Sequence, residues 1–284
     1  MIDSTSYASV DGLGVVLDDL VLRVTLSRPE KRNAIDEVML RGFIDTLTVA
    51  STDDRVRVIV VDGAGDHFCT GADIVARNRS SDDGADPSVP KPREQRPRAG
   101  GIQRRLPTQA HQLIPLLCDI QVPVVCKVRG FAAGIGLSIA LAADFTIAAS
   151  DAIFWEPFTR RGFTPDSGAT WLLPRRVGEV RARELLLLGR EFSGIEAAAW
   201  GAIHECVAPG ELDGSVDELV AHLAGGPTVT LGLTKWLLHA GREVSLEQHL
   251  RNEAFALELS SRTVDFREGM AAFTEHRAPR FEGR

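Results

Sequence analysis

The fold of this chain is decided by the stretch Gly130-Phe131-Ala132-Ala133-Gly134-Ile135-Gly136-Leu137-Ser138. An apolar, β-branched run at 122–128 comes directly before it, and an Ala/Leu/Ile-rich segment with helical spacing follows at 139–143. This order predicts a buried strand, a glycine-rich turn and a helix. Backbone N–H groups at a helix start have no intrahelical acceptor, so they can hold developing negative charge. A plain tight turn is the alternative interpretation.

A second stretch of the same kind lies upstream, where an apolar strand runs into glycine and small residues. It reads Ile59-Val60-Val61-Asp62-Gly63-Ala64-Gly65-Asp66-His67-Phe68-Cys69-Thr70-Gly71-Ala72-Asp73-Ile74. Two such loops can bring their backbone N–H groups to one carbonyl oxygen. Ala72 and Ile135 each follow a glycine, which lets the backbone come close. We therefore predict these two residues as the donors of an oxyanion hole.

With these loops, the chain resembles the crotonase (enoyl-CoA hydratase/isomerase) superfamily. Four motifs occur in the family's order and cover most of residues 12–210: Leu26-Ser27-Arg28-Pro29-Glu30-Lys31-Arg32-Asn33-Ala34, Phe68-Cys69-Thr70-Gly71-Ala72-Asp73-Ile74, the stretch 130–144, and Pro165-Asp166-Ser167-Gly168 leading to Leu173-Pro174-Arg175. The resemblance implies an α/β fold, a crotonase-like spiral of ββα units with a C-terminal helical segment. Strand, strand, helix and strand in the first 62 residues agree with such units.

The resemblance also implies an acyl-CoA substrate and no separate cofactor. The basic loop after residue 27 lines the nucleotide end of coenzyme A in crotonase-like proteins, although a solvated loop is the simpler interpretation of its charges. The residues that this implies for coenzyme A binding are Arg28, Arg32, Ala34, Thr70, Asp73 and Ile74. The residues expected to line the substrate pocket are Phe131, Gly134, Pro157 and Phe158.

We expect carboxylates to transfer the protons in this site. Adding water to an enoyl thioester needs one group to take a proton and one to supply it. Ser138 and Phe158 occupy the two positions where similar hydratases carry carboxylates. Neither side chain exchanges protons usefully near pH 7. The pattern therefore argues against ordinary hydratase activity.

Asp166 is the carboxylate that remains at a suggestive position. Isomerases of the superfamily carry their acid/base there, and residues 165–175 look especially like those of ring-1,2-epoxyphenylacetyl-CoA isomerases. A 1,3-proton shift can use one base that removes a proton and returns it elsewhere. The alternative is that Asp166 only caps the helix starting near Ser167, since Asp is a favoured N-cap. Glu156 is the reserve acid.

Three functions follow. The first is an acyl-CoA isomerase, moving a proton or rearranging a ring on an enoyl- or aryl-CoA thioester, with two backbone N–H donors and the single base Asp166. The second is a hydratase or hydrolase that recruits Glu156 or a carboxylate of the insertion at 77–107. The third is a non-catalytic CoA-ester binder.

The chain divides into an acyl-CoA-binding core at 10–205 and a helical segment at 206–284. Residues 77–107 are rich in Pro, Ser, Gly and charge, which predicts a flexible insertion, either a mobile surface loop or a lid. In relatives the last third packs around neighbouring subunits, which implies a homotrimer or hexamer. An intramolecular helical cap is the alternative.

Composition excludes several classes of protein. A net charge of −7 argues against a nucleic-acid binder. No apolar run approaches the roughly 18 residues of a membrane span, and the start is no signal peptide. The four cysteines form no CxxC pair and the histidines show no metal-ligand spacing, so we expect free thiols, no metal site and a cytoplasmic protein.

Overall fold

The computed structural model describes residues 7–73 and 100–284, and within these ranges two β-sheets and a set of helices enclose the core. The larger sheet has six strands in the order β1-β2-β3-β4-β6-β9, and the smaller has three in the order β5-β7-β8. Their bounds are β1 Leu13–Asp18, β2 Val21–Leu26, β3 Val58–Gly63, β4 Val124–Val128, β5 Phe131–Ala133, β6 Phe145–Ala149, β7 Ile153–Trp155, β8 Phe192–Ser193 and β9 Glu205–Val207.

Strand direction follows from the connections. A two-residue turn makes β1 and β2 antiparallel, whereas β2, β3, β4, β6 and β9 run parallel because helices or long segments connect them. In the small sheet, β7 is parallel to β5 and antiparallel to β8.

The described helices cover both faces of the large sheet and then form the end of the chain. Their bounds are α1 Glu37–Ala50, α2 Gly101–Arg105, α3 Ala110–Asp119, α4 Ile135–Ala142, α5 Ala169–Leu187, α6 Gly194–Ala199, α7 Leu212–Ala224, α8 Thr228–Ala240, α9 Leu246–Ser260 and α10 Val264–Glu275. Asp36 caps α1 by accepting a hydrogen bond from the Met39 amide at 3.0 Å.

Buried side chains on the two faces of the large sheet form two clusters. On one face, β2 and β3 pack against the apolar side of α1, with Phe43 and Leu47 fully buried. On the other face, Val58 and Val60 pack against Val216 of α7. The four residues 58–61 are therefore all buried, which is why β3 reads as a continuous apolar run.

The expected α/β core followed by a helical C-terminal region is confirmed. Strand β9 crosses the predicted boundary at 205 and pairs with β6, and α7 packs on the core sheet, so the last third of the chain is continuous with the core. Of the predicted insertion at 77–107, residues 77–99 lie outside the described residues, and Gly101–Arg105 forms α2.

Lys235 ties the C-terminal helices to the core. Its buried Nζ lies 2.7 Å from Asp144 Oδ2 and donates to the Leu117 carbonyl at 3.0 Å. Lys235→Met leaves that carboxylate without its cation, so we expect the free energy of unfolding to fall by about 3 kcal/mol in urea titrations. The exposed pair Arg23–Asp217 is the matched comparison, and Asp217→Asn should cost less than about 1 kcal/mol. Equal effects of the two changes would contradict this structural role for Lys235.

Candidate active site

The two glycine-containing loops meet beside the small sheet. Cys69 bridges to Ala132, and its amide and carbonyl bond to the backbone of β5 at 2.9 and 2.8 Å. A Cβ placed on Gly134 would lie 3.7 Å from the Cα of Gly71, so the two loops touch there. Both glycines have positive φ angles, +109° at Gly71 and +55° at Gly134, which other residues rarely adopt. The close approach expected from the sequence is thus present.

The amides of Ala72 and Ile135 are free to bind a ligand. Ile35 bonds to the carbonyl of Gly71 and to the amide of Asp73, so the Ala72 N–H between them faces the other way. Ile135 is the first residue of α4, and its N–H has no acceptor inside the helix. Neither amide has a hydrogen-bond acceptor within residues 7–73 and 100–284.

One cavity of about 390 Å³ contains both of these residues in its wall. The predicted site residues that line it are Ala72, Ile135, Asp166, Gly134, Pro157, Phe158, Thr70 and Asp73. Ile35, Leu40 and Phe163 add apolar surface. The walls therefore suit an apolar acyl group beside a polar thioester.

Phe131 does not line this cavity. Its ring packs against His67 with the ring centres 5.5 Å apart, and its amide donates to His67 Nδ1 at 3.3 Å. Strand β5 has only three residues, so the sequence gives little periodicity from which to assign its side chains to a face.

Arg28 is engaged within the protein. Its guanidinium bonds to Asp36 at 2.9 Å and to Asp73 at 3.0 Å, and it donates to the carbonyl of Ala34 at 2.9 Å. Lys31 lies 3.0 Å from the same Asp73 carboxylate. Arg28 thus has a direct structural role, since it clamps the basic loop to the loop that carries Ala72.

Arg32 is the cation that this loop presents to solvent. It is exposed, and it has no carboxylate partner in the part of the chain that the structure describes. Thr70 fixes the loop by donating its amide and hydroxyl to the Arg32 carbonyl at 3.1 and 3.2 Å. Ile74, the last residue predicted for coenzyme A binding, lies outside the described residues.

Asp166 faces the cavity and caps no helix. Helix α5 begins at Ala169 after Gly168, whose left-handed backbone (φ +89°) forms the cap without a side-chain hydrogen bond. The Asp166 carboxylate instead accepts a hydrogen bond from the Ser167 hydroxyl at 2.8 Å, and its carbonyl lies 2.6 Å from His111 Nε2. The alternative of Asp166 as an N-cap is therefore wrong.

Ser138 and Phe158, the two residues predicted at the carboxylate positions of hydratases, have different surroundings. Ser138 is fully buried in α4. Phe158 forms part of the cavity wall, with its ring edge-on to Phe163 at 5.1 Å and 3.7 Å from where a Cβ of Gly134 would lie.

Glu156 has an environment that the sequence did not reveal. Its side chain is only 2 % exposed, and neither carboxyl oxygen has a hydrogen-bond partner among the described residues. Burial, and secondly the charge of Asp166, raise the pKa of Glu156 to about 8. Side chains alternate between the two faces of a strand, so the buried Phe154 indicates that Glu156, two positions later, also points inward. Glu156 is therefore a neutral acid near pH 7.

This raised pKa predicts a pH-dependent stability. The unfolded chain loses the Glu156 proton near pH 4.5 and the folded chain near pH 8. The contribution of Glu156 to the free energy of unfolding is therefore fully present below pH 4.5 and is lost as the pH rises towards 8. The loss should be on the order of 4 kcal/mol. Urea unfolding at several pH values should show this slope in the native chain, and Glu156→Gln should remove it. An unchanged slope in the variant would contradict the buried neutral acid.

Other chemistries find no support in the described residues. No group of three or more His, Cys, Asp or Glu side chains in these ranges is arranged to hold a metal ion. Cys69 is buried, and burial raises the pKa of its thiol to about 12, so it is a poor nucleophile. None of the described helices is both long and apolar enough to cross a membrane.

The fold is that of the crotonase class. The crystal structure of a Mycobacterium abscessus protein assigned to the enoyl-CoA hydratase/isomerases superimposes with a TM-score of 0.85 at 31% identity, covering 96% of this chain and 100% of that one. The family model for enoyl-CoA hydratase/isomerase matches residues 18–284. The chain belongs to the enoyl-CoA hydratase/isomerase family, which acts on coenzyme A thioesters.

Relatives with different names are similarly close. The 1,2-epoxyphenylacetyl-CoA isomerase of Escherichia coli is 36% identical, over 93% of this chain and 95% of its own. A Rhodobacter capsulatus protein named "Probable enoyl-CoA hydratase" is also 36% identical, over 98% of this chain and 97% of its own. The family is thus established, and the choice between isomerase and hydratase depends on the site.

Proposed function

We propose that this protein is an acyl-CoA isomerase that shifts a proton or rearranges a ring on an enoyl- or aryl-CoA thioester, with Asp166 as base. The observation that carries the proposal is one apolar cavity lined by two residues with unbonded amides, Ala72 and Ile135, and by the Asp166 carboxylate. The 36% identity to the 1,2-epoxyphenylacetyl-CoA isomerase of Escherichia coli supports it further.

The residues have distinct roles in this reaction. The Ala72 and Ile135 amides bind the thioester oxygen and stabilise the negative charge that it gains when a neighbouring carbon loses a proton. Asp166 takes that proton and returns it to a different carbon of the acyl group. The apolar wall that includes Phe158 and Phe163 keeps water from the enolate. In this proposal the exposed Arg32 and the half-exposed Lys31 bind the phosphates of coenzyme A.

Water addition is the second candidate, and Glu156 is the observation that favours it. Hydration needs a second proton-transferring group. The neutral carboxyl group of Glu156 directly precedes Pro157 and Phe158 in the sequence, and these two residues form part of the cavity wall. Isomerisation is preferred because Glu156 itself is buried and is not among the residues that line the cavity.

A panel of thioesters tests the proposal. The purified protein should convert 3-enoyl-CoA or ring-epoxide aryl-CoA esters into their isomers, and it should add water to 2-enoyl-CoA esters at least 10²-fold more slowly. Faster hydration than isomerisation would make the hydratase the correct assignment. Binding of CoA esters without any turnover would identify a non-catalytic binder.

We also propose a homotrimer or hexamer in the cytoplasm. Large apolar side chains on α9 and α10 are exposed in the single chain, including Phe255 at 58 % and Phe273 at 78 %. All four cysteines are free thiols, which suits a reducing compartment. Sedimentation equilibrium of the purified protein distinguishes one, three and six subunits.

A further inference from the structure

Glu156 differs from the other buried carboxylates because no cation or hydrogen-bond donor among the described residues neutralises it. Asp73 is held by the cations of Arg28 and Lys31, and Asp265 accepts the amide of Gly283 at 2.8 Å. Both oxygens of Glu156 lack any hydrogen-bond partner in the described ranges. An ionised carboxylate in that environment would be very costly, so the group keeps its proton at neutral pH.

The chain between Glu156 and Asp166 folds back on itself beside the cavity. The Phe163 amide donates to the Phe158 carbonyl at 3.2 Å, and the two rings pack edge to face. Pro157, the residue after Glu156, and Asp166, at the other end of this segment, line the same cavity. The charge of Asp166 accordingly acts on Glu156.

The two carboxyl groups have unequal surroundings. Asp166 is half-buried and accepts the Ser167 hydroxyl, whereas Glu156 is buried and accepts no hydrogen bond from the described residues. Two neighbouring carboxyl groups whose surroundings differ in this way divide the roles of base and acid.

We propose that Glu156 is the proton-holding partner of Asp166, a positioning residue whose proton exchanges with the one that Asp166 takes from the substrate. The inference rests on the proposed function, in which Asp166 is the base. In this scheme two carboxyl groups, rather than a single base, share two protons during each turnover.

Atoms and charges balance in this scheme for a 3-enoyl thioester. The Asp166 carboxylate takes a proton from C2, and the C–H electron pair forms the dienolate held by Ala72 and Ile135. Asp166 and Glu156 are then both acids and exchange protons through a water molecule, because they have no direct hydrogen bond. Asp166 returns a proton to C4, the C2=C3 double bond forms, and both carboxyl groups regain their initial states.

Deuterium transfer tests the inference. In 3-hexenoyl-CoA with deuterium at both C2 positions, a single isolated base carries the label to C4, whereas exchange with Glu156 reduces the label at C4 to about half or less. Mass spectrometry of the product should therefore show at most about half of the label at C4 for the native enzyme and about twice as much or more for Glu156→Gln. The kcat of that variant should fall by less than the roughly 10²-fold typical of losing a direct base. Equal C4 labelling in both proteins overturns the proposal.

Two controls separate the possible failures. Ser138→Ala removes another buried oxygen that lacks a partner in the described structure, but no titrating proton, so its C4 labelling should match the native enzyme. Infrared spectroscopy should show a protonated-carboxyl band at pH 7 that Glu156→Gln removes and Asp166→Asn retains, and its absence from the native protein also overturns the proposal. Unimpaired turnover by Asp166→Asn would refute Asp166 as base, while the infrared band still reports on Glu156.

Discussion

Asp166→Asn should lower kcat for isomerisation by roughly 10²-fold or more, the scale expected for loss of a general base. Asparagine keeps the size of the side chain, and its amide oxygen can still accept the Ser167 hydroxyl that aspartate accepts at 2.8 Å. It cannot take a proton from carbon. Steady-state kinetics with the best substrate of the thioester panel measures the effect.

Binding of the CoA ester should change little in this variant, because the amides of Ala72 and Ile135 and the basic loop remain. Calorimetric titration with a non-reactive acyl-CoA ester checks this point. Asp151→Asn is the matched control, since this exposed aspartate lies in the turn after β6, away from the lining of the cavity. Native kcat in Asp166→Asn would exclude Asp166 as base.

Ile135→Pro should lower kcat by roughly 10²–10³-fold, the usual cost of losing one oxyanion-hole donor. Proline lacks the N–H group, and the first position of a helix is where proline is best tolerated. Ile135 occupies that position in α4, and no intrahelical bond uses its amide. The change therefore removes the donor while leaving the helix able to form.

Ile135→Val is the matched control, because it keeps the amide and trims one methylene from a buried side chain. Its kcat should remain near the native value, with a loss of stability of about 1 kcal/mol. Circular dichroism and thermal unfolding establish that the proline variant is folded. A folded Ile135→Pro protein with native kcat would show that the thioester oxygen binds elsewhere.

Much of the site could be predicted because its parts are local in sequence. Gly71 and Gly134 are recognisable, and the strand–turn–helix order around Ile135 fixes where the free amides point. The helix-cap alternative for Asp166 failed because Gly168, two residues later, is the N-cap of α5. Local patterns thus located residues that line the cavity.

The rest depends on contacts between distant residues. Arg28, which the sequence predicts as a coenzyme A ligand, also pairs with Asp73, 45 positions away. The neutral state of Glu156 arises from the packing around it and from Asp166 across the loop. Neither relation leaves a periodic or spacing signal, so no reading of a single sequence contains it.

The clamp on Asp73 bears on how this protein could change over evolutionary time. Arg28 and Lys31 hold that residue immediately after Ala72, at the point where the chain leaves the reaction centre. We therefore expect additions or deletions further along the chain to leave the position of the Ala72 amide unchanged, because the two ion pairs on Asp73 anchor the chain directly after it.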